Sequence, residues 1–376
     1  IKRIIIKTKM FGFGEKKFVG IDIGTSAVKI VELKIVANKP MLTNYAWMRI
    51  DGLAGSMEGQ ASFVENVLPA QLKRIIKEAD LSGRDAYLSI PAFGGLITLI
   101  EFPEMEKEDL DQAIKFEAHK YIPVPLEDIV LSWDVVSKKN PEILTIKDKD
   151  SINPDDNEEK KEGGKTQVLL VAAQKNQVSR YEKLARNSGL NLKAVEIESF
   201  SLVRSLIGND QGSFILADIG SRVCNIMLVE KGIIKVNRNI DAGGRDVTKI
   251  IARAMSIDED RAEKLKVSGK DFFGAESNMS FPVIDMIIKE ISRVIKSYHE
   301  ISSEASSIDG IILSGGASGF SGMPEYFSQK LNIRTIVGNP FSRIEYDKKL
   351  EPAMSYISKQ FAVAVGLALG GVNDHL

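Results

Sequence analysis

Cysteine is nearly absent from this 376-residue chain. Cys224 stands alone, which excludes a disulfide framework and makes a reducing compartment the default. Histidine is scarce as well: His119, His299 and His375 are too scattered for metal-ligand spacing or a nucleophile–base pair. Each reads as a surface or helix-end residue, and Cys224, inside an apolar run, reads as core. No apolar run approaches the roughly 20 residues of a spanning helix, so no direct membrane span is expected. Charge of one sign is missing too. A formal net charge of −1 gives no electrostatic case for nucleic acid. What remains, at 44% hydrophobic residues, is a globular chain long enough for two or three domains.

The first residues, IKRIIIKTKMFGFGEKK, are basic around a three-residue apolar core, too short for a secretory signal. They read as a solvated extension with Met10 as the natural start, or alternatively as a weak membrane-surface anchor. FVGIDIGTSAVKIVEL (18–33) then gives two apolar strands around a turn, with Asp22 inside the first. A third strand follows in KPMLTNYAWMRI, then a helix near 63–79 interrupted at Pro69 and left at Gly83. From Asp85 to about residue 193 the pattern suggests a compact α+β insert, with strands DAYLSIP and LITLIEFP and an acid-started helix from Lys107. Within it, residues 138–166 are mostly charged, lack aromatics and read as a disordered loop.

The opening pattern then recurs. FILADIGSRVCNIMLVEKG (214–232) repeats apolar strand, Asp-Ile-Gly-hydroxyl and apolar strand, so Asp218, Gly220 and Ser221 answer Asp22, Gly24 and Thr25. A carboxylate in a core strand is costly unless a cation or several donors meet it. Phosphate binding needs turn amides uncrowded by a Cβ and hydroxyl donors, which Gly24, Thr25, Ser26, Gly220 and Ser221 offer. Mg²⁺ held largely through water needs carboxylates behind such turns, which Asp22 and Asp218 offer. One copy alone would read as an aspartate capping a turn; two copies favour a phosphate clamp. The Gly315-Gly316-Ala317 turn of ILSGGASG suits close approach of a purine or α-phosphate, and Glu263 and Lys266 share a helix face able to hold a ribose.

Hairpin, insert, second hairpin and Gly-rich turn in this order resemble the actin, Hsp70 and sugar-kinase superfamily. Within it, FVGIDIGTSAVKIVEL, YLSIP, FEAHKYIPVPLEDI, LADIGSRVCNIMLVEKG and LSGGASGFSGMPEYFSQKLNI are similar to the PilM family of type IV pilus assembly proteins, relatives of the cell-division protein FtsA. The resemblance implies an α/β fold of duplicated, actin-like, ribonuclease-H-like domains with an FtsA-type 1C insert. It divides the chain into an extension (1–16), subdomain 1A (17–84), subdomain 1C (85–193) and a connecting helix of 1A (194–210). Subdomain 2A (211–254 and 303–348) then encloses 2B (255–302), and a C-terminal helix (349–376) returns to 1A. It implies ATP and Mg²⁺ as cofactors. Lys29 falls where actin has a phosphate-contacting lysine, and Gly243 and Gly244 enter the nucleotide-side helix. Glu263 with Lys266 matches the ribose contact, and Gly315, Gly316 and Ala317 match the adenosine turn. Glu198 falls near a water-orienting position, with Glu196 as its rival.

The function implied is a cytoplasmic ATP-binding adaptor, at most a slow ATPase. It would sit peripheral to the inner membrane by binding the cytoplasmic tail of a PilN-like protein in a groove between 1A and 1C. Pilus motor or platform proteins are further partners under the same resemblance, with weak self-association. The C-terminal GGVNDHL lacks FtsA's basic amphipathic helix, which argues against self-anchoring. The alternatives are a filament-forming FtsA-like cytoskeletal ATPase and a small-molecule kinase of the same superfamily.

Overall fold

The computed structural model describes residues 4–5, 16–50, 57–139, 143–144, 160–161, 164–274, 279–301 and 307–376. Most of the basic start and of the charged stretch 138–166, where sequence suggests a surface anchor and a disordered loop, lies outside the described residues. The chain divides into two compact units, Leu96–Lys175 and a larger one made of Arg3–Gly95 and Asn176–Leu376.

The larger unit begins with β1 (Ile4–Ile5), β2 (Lys17–Ile23), β3 (Ala27–Val36) and β4 (Lys39–Arg49). Ala37 and Asn38 both take positive φ between β3 and β4, the backbone of a tight hairpin that matches strand twist. Helices α1 (Met57–Asn66) and α2 (Leu68–Glu78) are separate pieces. Pro69 lies in the first turn of α2, where a missing N–H costs nothing. The left-handed exit from α2 falls on Asp80, not on Gly83. β5 (Asp85–Ile90) then pairs in parallel with β2.

The smaller unit holds β6 (Gly95–Pro103), α3 (Lys107–Ala118), β7 (Ile129–Lys139), the short strands β8 (Ile143–Leu144) and β9 (Lys160–Lys161), and β10 (Lys165–Gln174). Its three-stranded sheet runs β6-β10-β7. Ile100, Phe102, Leu110, Ile114, Val168 and Leu170 form its core, so the apolar stripe of α3 lies on one face of the sheet.

The chain returns to the larger unit with α4 (Lys175–Asn187), β11 (Asn191–Ile197) and α5 (Glu198–Leu206). The compact unit Leu96–Lys175 lies inside the expected 85–193. β5 and β11 pair in parallel with each other inside the six-stranded sheet β1-β11-β5-β2-β3-β4. Strands of a parallel sheet are apolar on both faces, and sequence pattern does not separate them from strands of an insert.

Next come β12 (Ser213–Ile219), β13 (Cys224–Glu230), β14 (Ile233–Ile240), α6 (Gly244–Met255), α7 (Glu259–Val267) and α8 (Pro282–Ile301). β15 (Gly310–Ser314), α9 (Met323–Leu331), β16 (Thr335–Val337), α10 (Glu351–Ile357) and α11 (Ala362–Asn373) complete the chain. The second sheet, β14-β13-β12-β15-β16, repeats the order β4-β3-β2-β5-β11 of the first. Pairing directions repeat too: β2–β3 and β12–β13 are antiparallel, β2–β5 and β12–β15 parallel. The duplication read from two short motifs is thus a duplication of whole sheets. α11 is buried along Ala362–Val372, and a Cβ at Gly366 would collide with the Ser201 carbonyl on α5. Small residues are what let these two helices approach so closely.

Candidate functional site

The two hairpins superimpose in register as well as in sequence. Gly24 N–H donates to the Ala27 carbonyl at 3.0 Å, and Gly220 N–H donates to the Val223 carbonyl at the same distance. Asp22 stands opposite Lys29, and Asp218 opposite Asn225. Thr25, Ser26 and Ser221 lie on the turns and reach solvent.

Asp22 is 5% exposed, and its carboxylate accepts from the Lys29 ammonium at 3.0 Å. Burial by itself would lower the Lys29 amine. The Asp22 charge and hydrogen bond, with Asp218 and Glu198 behind them, outweigh burial and hold it above its ordinary value. Lys29 is the cation that Asp22 requires. A Cβ on Gly24 would lie 3.0 Å from that amine, so the glycine also leaves room for the ion pair.

Asp218 has no ion pair of its own among the described residues. Burial pushes its carboxyl up to about 6, with the Asp22 charge adding to this, while the Ser314 hydroxyl and Lys29 pull the other way. Ser314 is in register with Asp218 on β15, yet its buried hydroxyl makes no regular hydrogen bond. Glu198, the first residue of α5, accepts from Ala92 N–H at 2.9 Å. Burial, then the Asp218 charge, push its carboxyl up to about 8. Three carboxylates therefore share one lysine, and two of them are driven toward the neutral form.

Glu196 and Glu198 differ in their surroundings. Glu196 is 4% exposed and grips Arg204 with both oxygens, at 2.7 and 2.9 Å, while Ser201 donates to it at 2.5 Å. Arg204 also donates to the Gly366 carbonyl at 2.6 Å. Glu196 thus ties β11, α5 and α11 together, and Glu198 is the acid placed beside the aspartates.

The remaining predicted residues converge on the second hairpin. Gly244 and Arg245 donate their N–H groups to the Gly220 and Ser221 carbonyls, at 2.9 and 2.8 Å. A Cβ at Gly243 would sit 2.6 Å from the Ser221 carbonyl oxygen, so only glycine allows this contact. Lys266 is 6% exposed and donates to Glu263 at 2.6 Å, Thr248 at 2.9 Å and the Gly244 carbonyl at 3.0 Å. Burial holds its amine below the usual lysine value despite Glu263. A Cβ on Gly244 would fall 2.9 Å from the Ala317 Cβ, which places the Glu263–Lys266 pair, the α6 start and the Gly315-Gly316-Ala317 turn side by side. Gly315 has φ +85° and lies against the Ile219 carbonyl, where a side chain would be strained and would clash.

Several residues here carry no motif. Tyr181 on α4 is buried, and its hydroxyl is pushed up by burial and by the charges of Glu198 and Asp22. Arg222, in the second turn, has one buried guanidinium N–H group without a partner. The Lys359 side chain lies against Gly319, and its carbonyl accepts from Gly315 N–H at 2.9 Å. A basic residue next to a duplicated glycine turn could have marked Arg222. Nothing local to Lys359 or Tyr181 does, because tertiary packing brings them in.

The chain is 20% identical to the cell division protein FtsA of Staphylococcus epidermidis (strain ATCC 35984), covering 93% of this chain and 80% of the relative. Against FtsA of Bacillus subtilis (strain 168) the identity is again 20%, over 86% and 78%. Among solved structures, the PilM-PilN type IV pilus biogenesis complex matches at TM-score 0.74 with 24% identity, covering 96% of this chain and 99% of that one. The ethanolamine utilization protein EutJ of Carboxydothermus hydrogenoformans matches at TM-score 0.51 and 15% identity, over 97% and 92%. With the duplicated sheets, these likenesses define an actin-like α/β fold. The family model for the type IV pilus assembly protein PilM matches residues 20–372, nearly the whole chain, so the chain belongs to the PilM family.

Proposed function

We propose that this PilM-family chain is a cytoplasmic ATP-binding adaptor of type IV pilus assembly, which binds the cytoplasmic tail of a PilN-like inner-membrane protein in a nucleotide-dependent way. The carrying observation is the pair of aspartate hairpins sharing Lys29. The PilN-like partner rests on family membership and on the solved PilM-PilN complex. Among the described residues no helix is long and apolar enough to cross a membrane, so membrane association falls to that partner.

The donor set fits Mg-ATP. Asp22 and Asp218 would hold the metal, and Gly24, Thr25, Ser26, Lys29, Gly220 and Ser221 the phosphates. Gly243, Gly244, Glu263, Lys266, Gly315, Gly316 and Ala317 would hold the nucleoside. Among the described residues no group of three His, Cys, Asp or Glu side chains is placed to bind a metal. That suits Mg²⁺, which keeps most of its water and takes one or two carboxylates with substrate phosphates. The excess of carboxylates over cations favours a divalent ion as well. A bound Mg²⁺ would supply the positive charge that lets phosphate oxygens lie beside Asp22 and Asp218. Glu198, with its carboxyl near 8, holds a proton at neutral pH. It can orient a water but is a weak base toward one, which fits slow turnover and a binding role.

Calorimetry tests both halves. Asp22→Ala and Asp218→Ala should each weaken Mg-ATP by about an order of magnitude or more. A peptide of the neighbouring PilN-like protein's cytoplasmic tail should bind several-fold more tightly with Mg-ATP than without it. Wild-type nucleotide affinity in both variants overturns the site, and nucleotide-independent peptide binding overturns the coupling.

A further inference from the structure

At the opposite edge of the first sheet lies a cavity of about 370 Å³, between the end of α2, the start of β5 and the turn from α4 to β11. It is separate from the carboxylate cluster. Phe18 pairs with Asp85 at this edge, and Asp22 lies four residues further along β2, roughly 13 Å away.

Lys73, Lys77 and Arg84 line it, against the single carboxylate of Asp80. Lys73 and Lys77 are one helical turn apart, a spacing at which like charges repel. Among the described residues neither forms an ion pair, so the fold gains nothing from holding them together. A cation near the end of α2 does complement that helix's dipole, which accounts for Lys77 but not for Lys73. Arg84 donates through one nitrogen to the Leu81 and Gly83 carbonyls at 2.8 Å, which fixes the guanidinium and leaves its other N–H groups free. Ser188 also lines the cavity. Gly189 beside it has no atom within 4 Å of where a Cβ would stand, so the turn leaves open space for a ligand.

We propose that this cavity binds a small, multiply charged oxyanion of the phosphate class. Lys73 and Lys77 supply charge, and Arg84 supplies fixed donors. An apolar ligand is excluded because the fixed donors would go unpaired. A monoanion would leave one of the positive charges unmatched.

The test is calorimetric titration of the full chain with inorganic pyrophosphate, free of nucleotide and Mg²⁺. Wild type should bind, and Lys73→Ala/Lys77→Ala should weaken binding by about tenfold or more, since charge-assisted contacts are lost. The same double variant should keep wild-type affinity for Mg-ATP, which binds in the other site. Both lysines are exposed, so the double variant should keep the wild-type melting temperature. Three results would overturn the proposal: no binding by wild type at millimolar pyrophosphate, undiminished binding by the double lysine variant, or Mg-ATP affinity in that variant falling in step with pyrophosphate.

Discussion

Replacing Lys29 by methionine keeps the apolar stem and removes the ammonium 3.0 Å from Asp22. The carboxylate would then lie 5% exposed beside Asp218 and Glu198 with no cation. Breaking a buried pair in this way costs about 3–5 kcal/mol. Urea unfolding of the nucleotide-free protein at pH 7 measures it. Lys29→Met/Asp22→Asn removes both charges and should regain most of the loss. A loss below about 1 kcal/mol, the scale of an exposed pair, or a double variant as unstable as the single, would refute the assignment of Lys29 as the counter-ion of Asp22.

Two further outcomes follow from the same cluster and its neighbour. Glu198, raised from 4.5 to about 8, should contribute stability below pH 4.5 that is lost progressively up to pH 8. Glu198→Gln should abolish that loss, becoming on the order of 2–4 kcal/mol more stable relative to wild type between pH 5 and pH 8 in urea unfolding. A constant difference across this range would count against a protonated Glu198. Lys266→Met removes the buried ammonium shared by Glu263, Thr248 and the Gly244 carbonyl, leaving the Thr248 hydroxyl as side-chain donor to both acceptors, and should cost about 1–3 kcal/mol. In calorimetry it should weaken ATP more than tripolyphosphate if the pair serves the nucleoside end, and equal effects on both would reject that role.

The paired hairpins were legible because each breaks a rule, a charge inside an apolar strand, and does so twice with the same flanking residues. The C-terminal helix was legible from its run of small apolar residues. The parallel pairing of β5 with β2 and β11 was not. β5 and β11 belong to a parallel sheet whose apolar pattern matches that of any buried strand. Glu196 and Glu198 are two residues apart, and spacing alone gave no reason to prefer either. The choice lies with Arg204, one helix away, whose fork neutralises Glu196. Ser314 was hidden for a similar reason, since only the register of β12 on β15 sets it against Asp218.

The duplication is most informative where it fails. Backbone, turn and aspartate agree in the two hairpins, but the position facing the aspartate is Lys29 in one and Asn225 in the other. A second lysine would neutralise Asp218 as Lys29 neutralises Asp22, and would remove the charge deficit that favours a divalent cation. No lysine at all would leave three buried acids with no internal cation, an arrangement too costly to hold without ligand. One lysine gives a nucleotide-free state that folds while retaining a need for positive charge. Asn225 serves the second half differently. Its amide donates to Ser199 at 2.9 Å, next to Glu198 at the start of α5, and Ser199 in turn donates to Asn237 at 3.2 Å. The residue that withholds a charge from Asp218 thereby fastens the second sheet to the helix that carries Glu198.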